Sequence, residues 1–114
     1  MIYHLALESD WTHAEAGAGE YRISTIGRQL ADVGFIHCSF DHQVQTVANA
    51  FYRGRADVLL LSIDESKLMS EIREEKAAGT TDVFPHIYGP LNIDAVASVR
   101  PLALASDGTL SIVV

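Results

Sequence analysis

The amino-acid sequence predicts a single α+β domain over residues 1–114, and three observations carry that prediction. Asp57-Val-Leu-Leu-Leu-Ser-Ile-Asp64 is an uninterrupted apolar run of the length that a central strand, covered on both faces, requires. Short stripes of apolar residues at helical spacing interrupt other strand-like segments, and none is long enough for a helical bundle. Ser106-Asp107-Gly108 separates two further strand-like runs, with Asp-Gly supplying the positive φ angles that a tight hairpin needs.

The elements follow in order. Ile2 to Leu7 is apolar and bounded by Glu8-Ser9-Asp10, so a buried first strand leads into a helix capped at Ser9 or Asp10. Trp11, Ala14 and Ala18 recur at helical spacing until Gly17 and Gly19 stop the helix. Ile26, Leu30 and Val33 form a second helical stripe, terminated by Gly34. Phe35 to Cys38 reads as the second strand, and Ser39 as the N-cap of a third helix with an inner stripe of Val44, Val47, Ala48 and Phe51, closed at Gly54. After the central strand the chain turns polar from Glu65 to Asp82, as helix or as edge strand. A hairpin of Ala97 to Ala105 and Thr109 to Val114 ends the chain.

Composition narrows the function classes. With 48% hydrophobic and 20% charged residues, the chain can bury enough apolar area to offset the entropy of ordering it, so disorder is not expected. A formal charge of -7 repels phosphate backbones, and the eight Lys and Arg residues form no basic run, which disfavours duplex nucleic acid as partner. No apolar run approaches the ~18 residues of a membrane span. One cysteine, Cys38, and an N-terminus that enters directly into a strand point to a cytoplasmic address.

Chemistry gathers in two short motifs. In Gly34-Phe-Ile-His-Cys-Ser39, strand alternation turns His37 and Ser39 one way and Ile36 and Cys38 the other. That puts an imidazole and a hydroxyl side by side where a following helix N-terminus would offer free N–H groups to a phosphate or carboxylate, although Ser39 serves equally as a plain cap. In Phe84-Pro-His-Ile-Tyr-Gly-Pro-Leu91, His86 and Tyr88 share a face between stiffening prolines. The pair can stack on and hydrogen-bond a flat ring, or Tyr88 can staple a structural turn. With His4 in the first strand, three histidines stand on strands, and each is either a hydrogen-bonded core residue or part of a cleft. Their wide separation argues against a zinc site. Cys38 and His37, neighbours on opposite faces, cannot form a nucleophile pair, and Gly17-Ala18-Gly19 is a helix stop rather than a phosphate loop.

Ile2-Tyr3-His4, Trp11, Gly19-Glu-Tyr21, both motifs, Gln43, Val47-Ala48-Asn49 and Phe51-Tyr52 together resemble the domain of unknown function 952 family of small, mostly bacterial proteins, over nearly the whole chain. That family is similar to the ADP-ribosyltransferases and the RNA 2′-phosphotransferases. The resemblance implies a split, mostly antiparallel β-sheet with short helices, and a cleft for NAD or an ADP-ribose-like ligand. It places His4 at the first-strand histidine that meets a ribose, and His37 with Ser39 at a histidine-x-serine strand end. Glu75 falls at the acidic position that stabilises an oxocarbenium-like transition state in the transferases. On this reading Glu75, His37 and His86 are catalytic, while His4, Ser39, Tyr88, Tyr21 and Gln43 contact ligand in a glycosyl or phosphoryl transfer. The alternative is a non-catalytic metabolite-binding or protein-interaction module. Two positions depart from the pattern: Leu5 follows His4 where glycine is usual, and Glu74 stands where a tryptophan is common.

Overall fold

A computed structural model describes residues 1–77 and 79–112. The chain runs β1 (Ile2–Leu7), α1 (Glu8–Ala16), β2 (Glu20–Tyr21), β3 (Ile23–Thr25), β4 (Arg28–Gln29), α2 (Leu30–Val33), β5 (Ile36–His37) and α3 (Val44–Phe51). It continues with β6 (Val58–Ile63), β7 (Glu71–Lys76), β8 (Val83–Tyr88), β9 (Leu91–Asn92), β10 (Val96–Pro101), β11 (Ala103–Leu104) and β12 (Leu110–Ser111), with short 3-10 turns at Glu65–Lys67 and Ile93–Ala95. No helix among the described residues is long and apolar enough to cross a membrane.

Two three-stranded sheets dominate this mixed, mostly antiparallel architecture: β1-β6-β10 and β5-β8-β7. The apolar run predicted as the central strand is β6, antiparallel to β1 and β10, with Leu5 opposite Leu60 and Arg100 opposite Leu60 on the other side. Its two faces feed two clusters. Leu59, Leu61 and Ile63 join Ile2, Trp11, Ile36 and Ile87, whereas Val58 and Leu60 join Val44, Val47, Tyr52 and Leu110. An isolated bridge between Tyr3 and Ser39 links the sheets, with Tyr3 N donating to Ser39 O at 2.9 Å and Ser39 N to Tyr3 O at 2.7 Å.

That bridge corrects one expectation. Ser39 does not cap α3, because its backbone is committed to β1; the helix begins at Val44, and the intervening turn is closed by Phe40 N donating to Gln43 Oε1 at 2.9 Å. The helix-N-terminus anion site expected beside His37 therefore does not form there. Phe51 is a second correction: as the last residue of α3 it is 64% exposed, and Tyr52 takes the buried place. A third concerns the stripe of Ile26, Leu30 and Val33, of which only Leu30–Val33 is helical. Ile26 instead lies at the turn between β3 and β4, where Gly27 adopts φ 71°. Gly34 does terminate α2, with φ 94°.

The polar stretch resolves as an edge strand: among the described residues β7 pairs only with β8, and its outer row carries alternating charge. The closing hairpin is shorter than expected: Val96–Pro101 pairs with β6, and only β11 and β12 form the hairpin, where Asp107 Oδ1 accepts from Thr109 N and Gly108, but not Asp107, takes a positive φ, 90°. Val113 and Val114, included in the expected last strand, lie outside the described residues. Asn49 clamps this hairpin to α3, its amide oxygen accepting from Leu110 N at 2.8 Å and its amide nitrogen donating to Leu110 O at 3.1 Å.

Candidate functional site

Alternation in β5 and β8 divides the second sheet into unlike faces. Ile36, Cys38, Pro85 and Ile87 point into the core, and burial pushes the Cys38 thiol pKa well up, so that it behaves as an inert core residue. On the opposite face His37 lies directly across from His86, and β7 adds Glu75 beside them. Phe35 stacks on His86 with ring centroids 4.0 Å apart, while Phe84 lies 5.1 Å from the His37 ring. Arg73, paired with Glu71, covers the Tyr88 ring at 4.3 Å.

The polar groups on this face form one chain whose proton positions follow from their chemistry. A carboxylate only accepts, so His86 Nδ1–H donates to Glu75 Oε1 at 2.9 Å, and the Tyr88 hydroxyl donates to the same oxygen at 2.5 Å. His86 Nε2 is then the acceptor, and His37 Nδ1–H donates to it across a long 3.4 Å. The lone pair of His37 is thereby placed on Nε2, which has no hydrogen-bond partner among the described residues. Burial, with the neighbouring His86 imidazole, lowers the His37 pKa to about 4, so the ring is neutral at pH 7. The hydrogen bonds from Tyr88 and then His86 hold the Glu75 carboxyl below its usual range.

His4 belongs to this chain without facing ligand in the same way. Its Nδ1–H donates to the His37 carbonyl at 2.6 Å, and the Tyr21 hydroxyl donates to its Nε2 at 2.9 Å. Both ring nitrogens are occupied, and burial lowers the pKa to about 4. Tyr21, itself buried against Trp11, fixes the first-strand histidine from behind. Gln43 is likewise engaged at both ends of its amide, donating to Val83 O at 2.7 Å, and so ties the turn before α3 to β8.

A cavity of about 650 Å³ opens beside this network. His37, Ser39 and His4 line it together with Phe35 and Phe84; Glu75, His86, Tyr88, Tyr21 and Gln43 do not. The structure thus links Tyr21, His4, His37, His86, Glu75 and Tyr88 in one network, of which His4 and His37 line the cavity; Ser39 lines it too but is tied to Tyr3, and Gln43 is tied to Phe40 and Val83. Other parts of the wall carried no local signature in the sequence: Ser24, Thr25 and Arg28 come from the β3–β4 hairpin, and Asp82 from the loop before β8. Phe35 had a signal, since alternation puts it on the His37 face. Among the described residues no cluster of three or more His, Cys, Asp or Glu side chains is arranged to hold a metal ion.

Fold and site define a small, mostly antiparallel α+β domain with a histidine network set against a cavity. The chain belongs to the family described as protein of unknown function (DUF952), which matches residues 5–99. It is similar to protein CC0527 from Caulobacter crescentus, whose X-ray crystal structure has 34% sequence identity and a TM-score of 0.82 over 96% of this chain and 92% of that one. The solution NMR structure of CC0527 matches with 31% identity and a TM-score of 0.77 over 95% and 89% of the two chains. No curated protein matches the chain.

Proposed function

We propose that the domain is a small transferase of ADP-ribosyltransferase-like type, which takes a nucleotide-derived ligand such as NAD or an ADP-ribosyl group and moves a proton through Glu75, His86 and His37 during glycosyl or phosphoryl transfer. The observation that carries this reading is the relay itself, ending on an imidazole nitrogen without a partner among the described residues, in a residue that lines a cavity. A proton taken up at His37 Nε2 can be matched by transfer of the Nδ1 proton to His86, whose imidazolium is stabilised by the Glu75 carboxylate. His37 is then the group that touches ligand, and His86, Glu75 and His4 are positioning residues. The meeting of two three-stranded sheets at the Tyr3–Ser39 bridge supports the split-sheet ancestry. The cavity volume falls within the ~300–1,000 Å³ of small-molecule sites.

One observation favours the non-catalytic binding module instead: Glu75 is held by Tyr88 and His86 and does not line the cavity, so it is not placed to meet a developing oxocarbenium charge. Thermal shift and calorimetry with NAD, ADP-ribose and ADP-ribose 1″,2″-cyclic phosphate separate the readings. A ligand present at about ten times its Kd should raise Tm by roughly 6 °C in a domain of this size. Product formation by the unmodified protein, lost in His37→Gln, supports the transferase. Binding without product in either supports the module, and no response to any of the three at millimolar concentration refutes both.

A further inference from the structure

The β3–β4 ladder slips register at Ser24, between the pairs Ile23–Gln29 and Thr25–Arg28. Irregularities of this kind re-aim a side chain. Ser24 is 1% exposed and lines the cavity, and its Oγ is a buried side-chain polar atom without a hydrogen-bond partner among the described residues. Its wall neighbours Thr25 and His4 are partnered. Thr25 Oγ1 lies 3.4 Å from the Tyr52 hydroxyl, which donates to Leu5 O, and both His4 nitrogens are bonded. A buried hydroxyl left unpaired is costly, and a ligand group that reaches it removes the cost.

The rest of the wall limits what that ligand can be. Phe35, Phe84, Tyr52 and Val47 make it largely apolar and aromatic. Among the lining residues the cation of Arg28 is offset by the carboxylate of Asp82, so the wall holds no net positive charge for a polyanion. We propose that the enclosed part of the ligand is an uncharged ring system bearing a hydroxyl or amide that hydrogen-bonds to Ser24, with any phosphate groups remaining outside the cavity. Ser24 is thereby a specificity-determining residue. The inference rests on the reading above only in taking this cavity as the ligand site; it needs no transfer step, and of the two transfers named there it fits the glycosyl one.

The test titrates four simple probes into ¹⁵N-labelled protein: benzyl alcohol, toluene, benzoate and phenyl phosphate. Benzyl alcohol should shift the amide signals of residues that line the cavity and bind at least ~10-fold more tightly than phenyl phosphate. In Ser24→Ala its binding should weaken about 5- to 10-fold while toluene stays within about 2-fold. Without ligand, Ser24→Ala should melt about 3–5 °C higher, because an unpaired hydroxyl has been removed. Phenyl phosphate binding as well as benzyl alcohol, equal losses for benzyl alcohol and toluene, or no cavity shifts with either neutral probe would overturn the inference. An unchanged or lower Tm for ligand-free Ser24→Ala would overturn the claim that its hydroxyl lacks a partner. Neutral probes that bind through Ser24, with no response to NAD or ADP-ribose, would leave this inference standing and remove the nucleotide reading; the reverse pattern would do the opposite.

Discussion

Acidification should destabilise this fold, because His4 and His37 are held neutral. Each has its pKa lowered from 6.5 to about 4 in the folded chain. Between those values the unfolded chain binds protons that the folded chain refuses, so stability falls as the pH drops through 6.5 and levels off below about 4, where the folded rings also protonate. A single such ring contributes a slope approaching 1.4 kcal/mol per pH unit, which integrates to roughly 2 kcal/mol between pH 7 and 5. Two rings together approach 4 kcal/mol, a large part of the ~5–15 kcal/mol that holds a domain together. Solvent reaching His37 from the cavity makes its share the smaller. Carboxylates held below their usual range, such as Asp57 beside Arg55, lose their contribution in a lower window and do not confuse the result. Urea unfolding at pH 7, 6 and 5 measures the slope directly. Replacing His37 by Gln should reduce proton uptake on unfolding at pH 5 from nearly two to about one. A stability that is flat from pH 7 to 5, or a slope unchanged in His37→Gln, would refute the assignment of buried neutral rings.

Three further outcomes are expected. Tyr21→Phe strands the buried Nε2 of His4 and should cost about 2–3 kcal/mol in denaturant unfolding; a loss below about 0.5 kcal/mol would mean that the nitrogen finds another donor. Gly89→Ala should destabilise by about 2–4 kcal/mol, since φ is 152° and an added Cβ would come within 2.5 Å of the Ser70 hydroxyl, itself bonded to Pro90 O. Glu75→Gln removes the group that can only accept, so ¹⁵N shifts of the His86 ring should move from a single Nδ1–H tautomer to a mixture; an unchanged spectrum would place the control of that tautomer elsewhere.

What was legible in the chain is what depends on period and run length. The apolar run of β6, the inward Ile36 and Cys38, the opposite orientation of His37, and the turn at Asp107-Gly108 all follow from alternation or turn chemistry; that His37 faces His86 does not. The errors came where a long-range contact outranked a local signal. Ser39 has the chemistry of a helix cap, but its backbone was claimed by Tyr3, far off in sequence. Ile26, Leu30 and Val33 satisfy a helical spacing, yet Gly27 turns the chain between two short strands. For Tyr21 and Gln43 the structure adds what spacing does not convey, that their side-chain polar groups bond His4 and backbone. The cavity wall contributed by Ser24, Arg28 and Asp82 was invisible, because only the assembled sheets bring those residues beside His37.

The charged outer strand β7 has one more consequence. A strand paired on one side only offers the free backbone groups of its other edge as a template on which another chain can add and aggregate. Glu71, Arg73, Glu74 and Lys76 make that addition costly by demanding hydration along the whole margin. Glu75 shares in this defence while steering an imidazole on the inner side, so the margin cannot be made apolar without giving up both solubility and the orientation of His86.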